Sequence, residues 1–273
     1  MSLRRTALMF LVLCVGSPML VACEKVFGES RTLAWSDEFD GPAGHSPDPR
    51  NWRFEEFADS TDTEKQCYSD STQNVALNGE GYLRISARDL PGHCADGWYR
   101  YYTSGRITTE GLHTWTHGRL EIRAQVPDGV GTWAAVWALG ANKPEVEWPR
   151  SGELDIMEHI GADPDHLIGT VHGPTSTGER WFLQTSTDAD APLSDGFHTY
   201  ALDWGEDELV WSLDGEEYGR ITRDDVEEEG EWVFDKPFYL LLNLALEGYL
   251  GGPIAEDIEW PQTFVIDYVR VYQ

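Results

Sequence analysis

Basic residues are scarce. Lys and Arg number 20 against 48 Asp and Glu, a formal net charge of −28 over 273 residues. That balance excludes nucleic acid as a partner, because phosphate contacts need a basic face. It excludes docking on anionic lipid head groups for the same reason. Apolar runs are short: the one from Ala7 to Val15 is too brief and too interrupted for a permanent spanning helix. No stretch past the N-terminal segment holds an i, i+3, i+4, i+7 apolar pattern for four turns, which argues against a helical protein. One histidine pair alone, His113 and His117, has H-x-x-x-H spacing, and it sits in a segment with no helical period, so a histidine-based transition-metal site is only weakly supported. There is no internal repeat and no low-complexity linker. What is present is aromatic: 12 Trp, and 41% hydrophobic residues in all. A disordered acidic chain is thereby excluded. The length suits one large domain or two small ones, with ample core.

The first residues read as an address. Arg4 and Arg5 precede the short apolar run, as in a secretory signal. The ending Leu20-Val21-Ala22-Cys23 resembles a bacterial lipoprotein signal. That resemblance implies cleavage before Cys23, lipid on its sulfur, and an exported protein tethered to the cell envelope. The alternative is ordinary cleavage near Ala22, leaving Cys23 a free thiol. Residues 1–22 are thus expected as signal peptide and 23–32 as a short tether. Losing Arg4 and Arg5 would make the chain more acidic still. Of the four cysteines, Cys14 leaves with the signal and Cys23 carries lipid. Cys67 and Cys94 remain, an even pair in an oxidising compartment, and a disulfide is expected. Two buried thiols are the other reading.

Alternation of period two is frequent. Arg119–Val126 and Val265–Tyr272 alternate without a break. Leu209–Leu213 and Glu216–Tyr218 flank Asp214-Gly215, a two-residue hairpin signal. With 27 Gly and 14 Pro breaking the chain at short intervals, an all-β antiparallel sandwich or barrel is expected. The acidic run Asp224–Glu231 reads as a solvated loop, with calcium binding as its alternative.

The most informative segment is Glu153-Leu154-Asp155-Ile156-Met157-Glu158-His159. On a regular strand Glu153 and Asp155 share a face, and Glu158 falls one position late. A β-bulge near Ile156-Met157 restores Glu158 to that face. Three crowded, partly buried carboxyls cannot all ionise alike, so their pKa values separate. Glycoside hydrolysis needs such a set: a proton donor for the leaving oxygen and a carboxylate for the sugar carbon. The other readings are a cation site built from the same acids, or a solvated edge strand. His159 points away from Glu158 and reads as structural. Trp133 and Trp137 share a strand face, and Trp148 lies five residues before Glu153. Indole faces stack on the apolar C–H faces of sugars, while core packing is the alternative for each.

Glu153–Glu158 resembles the signature of glycoside hydrolase family 16, in its bulged form with the extra Met157. Gly131–Gly140 is similar to the preceding strand of that family and Ser36–Gly41 to its opening strand. Phe197–Trp204 and Asp267–Tyr272 are similar to later landmarks. The likeness runs from about Leu33 to Gln273 and looks nearest to bacterial endo-β-1,3-glucanases, the laminarinases. It implies one catalytic domain over 33–273, a jelly-roll sandwich of two curved antiparallel sheets with a concave cleft. It implies an endo-acting, retaining enzyme on β-1,3-glucan or mixed-linkage glucan. Glu153 would be the nucleophile, Glu158 the general acid/base, and Asp155 the group tuning Glu153. Trp137, Trp148, Trp133, Arg106, Asn74, His172 and Asn243 would bind substrate. No cofactor is implied for catalysis, but a structural calcium ion is, on Glu38, the Gly81 carbonyl and Asp267. The partner is a neutral polysaccharide and the protein a monomer. Galactan hydrolysis of the agarase, porphyranase or carrageenase kind is an alternative, disfavoured for sulfated chains by the acidity. A non-catalytic glucan-binding protein is another, disfavoured because all three acids are present. The segment Leu244–Gly252 departs from the Gly-Gly-Asn-like run of the family and adds Glu247 near one end of the cleft.

Overall fold

Sustained alternation becomes strand. The Gly118–Gln125 strand alternates buried and half-buried residues throughout. It pairs antiparallel with Gln262–Tyr272, Ile122 opposite Val269. The computed structural model describes residues 31–59 and 63–273. The expected signal peptide and Cys23, the expected point of lipid attachment, lie outside the described residues.

Two sheets stack. One has seven antiparallel strands in the order Arg180–Asp188, His166–Pro174, Glu153–Ile160, Thr132–Gly140, Phe238–Leu246, Arg106–Thr108 and Arg53–Phe54. The other has ten, with Gly118–Gln125 and Gln262–Tyr272 near its centre. Its one parallel pair joins Gln66–Tyr68 to Tyr99–Ser104. Between the sheets, Leu120, Ile122 and Val269 meet Val136, Leu154 and Leu244 in one buried core. Each such side chain contributes about 1.5–3 kcal/mol on burial. The architecture is the expected all-β jelly-roll sandwich, and residues 31–273 form one compact unit.

Local signals hold in most places. Asp214 and Gly215 take φ of 52° and 88° and join Glu208–Leu213 to Glu216–Thr222. Both values lie in the left-handed region that this hairpin turn requires. Cys67 and Cys94 are bonded, their Cα atoms 5.4 Å apart. The acidic run departs from expectation: Arg223–Glu229 is a helix, not a loop. Thr222 caps it in a reciprocal capping box with Asp225, and Val226 buries its one apolar side chain. Asp224 and Asp225 in the first turn also complement the helix dipole. One apolar residue in seven leaves no period to read.

Candidate active site

The site is built on two adjacent strands. Along Thr132–Gly140, Ala134, Val136 and Ala138 enter the core. Trp133, Ala135 and Trp137 face the other way and line a cavity of about 120 Å³. On the neighbouring strand Asp155 lies opposite Trp137, yet Met157 lies opposite Val136, so the register slips by one residue. The same slip occurs against His166–Pro174, between Asp155 and Glu158. This is the expected bulge. It brings Glu153, Asp155 and Glu158 to the same cavity and sends Leu154, Ile156 and Met157 into the core. Trp211, fully buried on the opposing sheet, donates its indole N–H to the Asp155 carbonyl at 2.9 Å. Only glycine fits at 169 beneath that indole. The bulge is thus held from behind by a side chain of the other sheet.

Each acid has its own partners. Trp148 Nε1 donates to Glu153 Oε2 at 2.7 Å. Trp133 Nε1 donates to Glu158 Oε1 at 3.1 Å, and Thr170 Oγ1 to Glu158 Oε2 at 3.2 Å. Asp155, only 3% exposed, has His172 Nε2 at 3.2 Å from its Oδ2. The same nitrogen lies 3.9 Å from Glu153 Oε1. Burial lifts all three carboxyls. Glu153 is pushed up to about 8 by desolvation and then by the Asp155 charge. Glu158 is pushed up to about 7 by desolvation and then by the Glu153 charge. Asp155 rises well above the carboxylate range through desolvation and the charge of Glu158. Burial acts oppositely on His172 and favours the neutral ring. Asp155 and Glu153 are hydrogen-bonded to each other, so the cluster holds on to protons above the ordinary carboxylate range and titrates as a unit. Glu153, Asp155 and His172 are also the one group among the described residues close enough to share a metal ion, their ligand atoms within 4.8 Å. The Glu153–Asp155 hydrogen bond already accounts for that closeness.

Most of the expected binding residues converge. Trp133, Trp137, Arg106 and Asn243 line the cavity. Trp137 Nε1 donates to Asn243 Oδ1 at 2.8 Å, and Arg106 lies over the Trp137 ring at 4.7 Å. Trp148 is 40% exposed and tilts against His172, so its ring is open to a ligand. Asn74 departs. It is 1% exposed, and its amide donates to Ser86 O and Thr103 Oγ1 at 2.8 and 3.0 Å. It ties strands together and does not line the cavity. His159 is structural as expected, buried with Nε2 near Pro164 O.

The calcium donor set does not fit as arranged. Glu38 forms a two-point ion pair with Arg270 at 2.8 and 3.0 Å, and Asp267 is paired with Arg123. Gly81, at φ +86°, sits beside Asp40. Both carboxylates are already neutralised by guanidinium groups, which a cation would have to displace.

Three residues of the site escaped the sequence reading. Thr170 shares a strand face with His172, two positions on, and that spacing was the signal. Trp211 comes from the opposite sheet and gave none. Glu64 lines the cavity as a fourth acid, and the polar run Glu64-Lys65-Gln66 has no alternation to mark it. A larger hollow of about 620 Å³ lies between Gln125–Val130 and Ala255–Thr263, and none of the three central acids lines it.

Comparison with known proteins agrees with this geometry. The profile of glycosyl hydrolases family 16 matches residues 55–270. A β-glucanase of Rhodothermus marinus is 38% identical, covering 99% of this chain and 95% of its own. A glucan endo-1,3-β-glucosidase of Cryptopygus antarcticus is 36% identical over 93% of this chain and 96% of its own. Among solved structures, the catalytic domain of an endo-1,3-β-glucanase (laminarinase) from Thermotoga petrophila superposes with a TM-score of 0.80. It is 38% identical and covers 90% of this chain and 98% of its own.

Proposed function

The chain belongs to glycosyl hydrolases family 16 and is a glycoside hydrolase, and on that premise we propose that it cleaves β-1,3-glucan internally by a two-step, retaining mechanism. The observation that carries the reading is the trio of acids gathered by the bulge between indole rings. Glu153 attacks the anomeric carbon as a carboxylate. Asp155, hydrogen-bonded to Glu153, orients it and tunes its charge. Glu158 gives its proton to the departing glycosidic oxygen. The C–O bond to the leaving chain breaks as the bond from Glu153 forms. Glu158 then takes a proton from an entering water, whose oxygen bonds to the anomeric carbon as the bond to Glu153 breaks and restores the carboxylate. Both the acid and the nucleophile are side chains, so the chemistry asks for no cofactor.

Sugar rings are held by stacking on Trp137 and Trp148, with Arg106 and Asn243 at their edges. The uncharged glucan suits a cavity whose wall carries four acids and one arginine. A screen for new reducing ends on laminarin, mixed-linkage glucan and agarose tests the reading. Release is expected from laminarin first. Release from agarose alone would point to the galactan alternative, and none at all to a binding protein. The N-terminal reading goes with this function: an exported enzyme tethered by lipid at Cys23 would act on polysaccharide at the cell envelope. The mass of the mature N-terminus tests it, and an unmodified Cys23 contradicts it.

A further inference from the structure

Glu64 has no part in the two-step chemistry, yet it lines the same cavity as the three central acids. Its placement is not loose. Gln66 Nε2 donates to Glu64 Oε2 at 2.6 Å and Tyr68 Oη donates to the same oxygen at 3.0 Å. Tyr68 in turn accepts from Asn243 Nδ2 at 3.2 Å, and Asn243 Oδ1 accepts from Trp137 Nε1. A chain of donors thus runs from the stacking platform to one carboxylate oxygen, every link donating in the same direction. Tyr68, Gln66 and Asn243 are buried, and the Gln66 amide oxygen is pinned by Leu246 N. The other oxygen, Oε1, receives no hydrogen bond from the described residues. Burial raises the Glu64 pKa, and the bonds from Gln66 and Tyr68 pull it part of the way back. The basic group facing it, Arg106, is ion-paired with Glu55.

A fixed carboxylate with one oxygen held and one open is an acceptor awaiting a donor. A sugar lying on Trp137 presents hydroxyl groups at its edge, and each can donate. We propose that Glu64 is a specificity-determining residue that accepts a hydrogen bond from a sugar hydroxyl beside Trp137, and so selects unsubstituted sugar over sugar sulfated at that position. This rests on the glucan reading above. The physical reason is that a sulfate ester removes the donor and adds a negative charge next to a carboxylate in a low-dielectric wall. A site built to bond a hydroxyl rejects the analogue that lacks it far more strongly than an apolar pocket could.

The test uses calorimetry on the full chain in a Glu153→Gln background, which binds without turnover. The probes are a neutral β-1,3-gluco-oligosaccharide and its O-sulfated counterpart. Adding Glu64→Gln is expected to weaken binding of the neutral probe about tenfold or more, the range of a hydrogen bond to a charged group. It should also narrow the gap between the two probes. Glu64→Asp keeps the charge but withdraws the oxygen, so it should lose affinity for the neutral probe and still reject the sulfated one. Neutral-probe affinity within twofold in both variants overturns the proposal, as does an equal loss for both probes. If neither variant folds, equal affinity of the background protein for the two probes overturns it. Laminarin turnover by the unaltered protein tests the functional reading separately, so the two failures are distinguishable.

Discussion

The outer faces of the two sheets handle negative charge in opposite ways. On the ten-stranded sheet, carboxylates are matched to guanidinium groups: Glu38 to Arg270, Asp267 to Arg123, and Asp203 to both Arg31 and Arg119. Glu38 shows the effect, its pKa lowered chiefly by the Arg270 hydrogen bond. On the seven-stranded sheet, buried Asp155 and Glu158 and half-buried Glu153 have indoles, a hydroxyl and an imidazole for company. Their pKa values go up. The first arrangement stabilises ionised acids and leaves them inert. The second makes proton transfer near neutral pH feasible and leaves the fold to tolerate the cost.

The contrast can be broken most sharply at the nucleophile. Glu153→Gln is expected to lower kcat on laminarin by about 10⁴-fold or more, whereas Glu38→Gln should leave it near normal; comparable rates for both would erase the distinction. Glu158→Ala should cost about 10²–10⁴-fold. The loss should shrink on an aryl glycoside whose leaving group needs no proton, and an undiminished loss there would remove Glu158 as the acid.

Stability should move the other way. A carboxyl whose folded pKa is raised favours the native state at low pH, and that contribution is lost as pH rises from about 4.5 to about 8. Glu153→Gln should therefore stabilise the fold at pH 8 by about 1–3 kcal/mol and by little at pH 4. Thermal melts at the two pH values check this, and equal shifts would refute the burial argument.

Trp211→Phe removes one hydrogen bond to the bulge. It should cost about 1–2 kcal/mol with a fall in kcat larger than the fall in affinity; an unchanged kcat would mean the bulge holds its shape unaided. The smallest effect belongs to the arginine-paired face. Glu38→Gln should cost at most about 0.5 kcal/mol, since the pair is largely exposed and screened. That contribution exists above the ordinary pKa of 4.5 and is lost as pH falls through the lowered one. Excess chelator should leave the melting temperature unchanged, and a drop of several degrees would restore the calcium site.

The sequence carried the fold and the gathering of the three acids because both are local. Alternation marks strands, and the extra Met157 between two acids marks a bulge. What it did not carry depends on contacts across the chain. Trp211 meets Asp155 from the other sheet, 56 residues away. The arginines on Glu38 and Asp267 lie 232 and 144 residues away in the chain, and no spacing rule announces them. Asn74 looked like a binding residue, because an amide that ties strands and one that binds sugar are the same in sequence. The Arg223–Glu229 helix was missed for a different reason: its capping box was in plain view, but its single buried side chain, Val226, gives no period.

The central claim is that Glu153 acts as the nucleophile in a double displacement. Proton NMR of the reducing end released from laminarin, recorded before mutarotation, tests it most directly. The account predicts the β-anomer first. A product that begins as the α-anomer would mean single displacement by water, and the role given to Glu153 would fall.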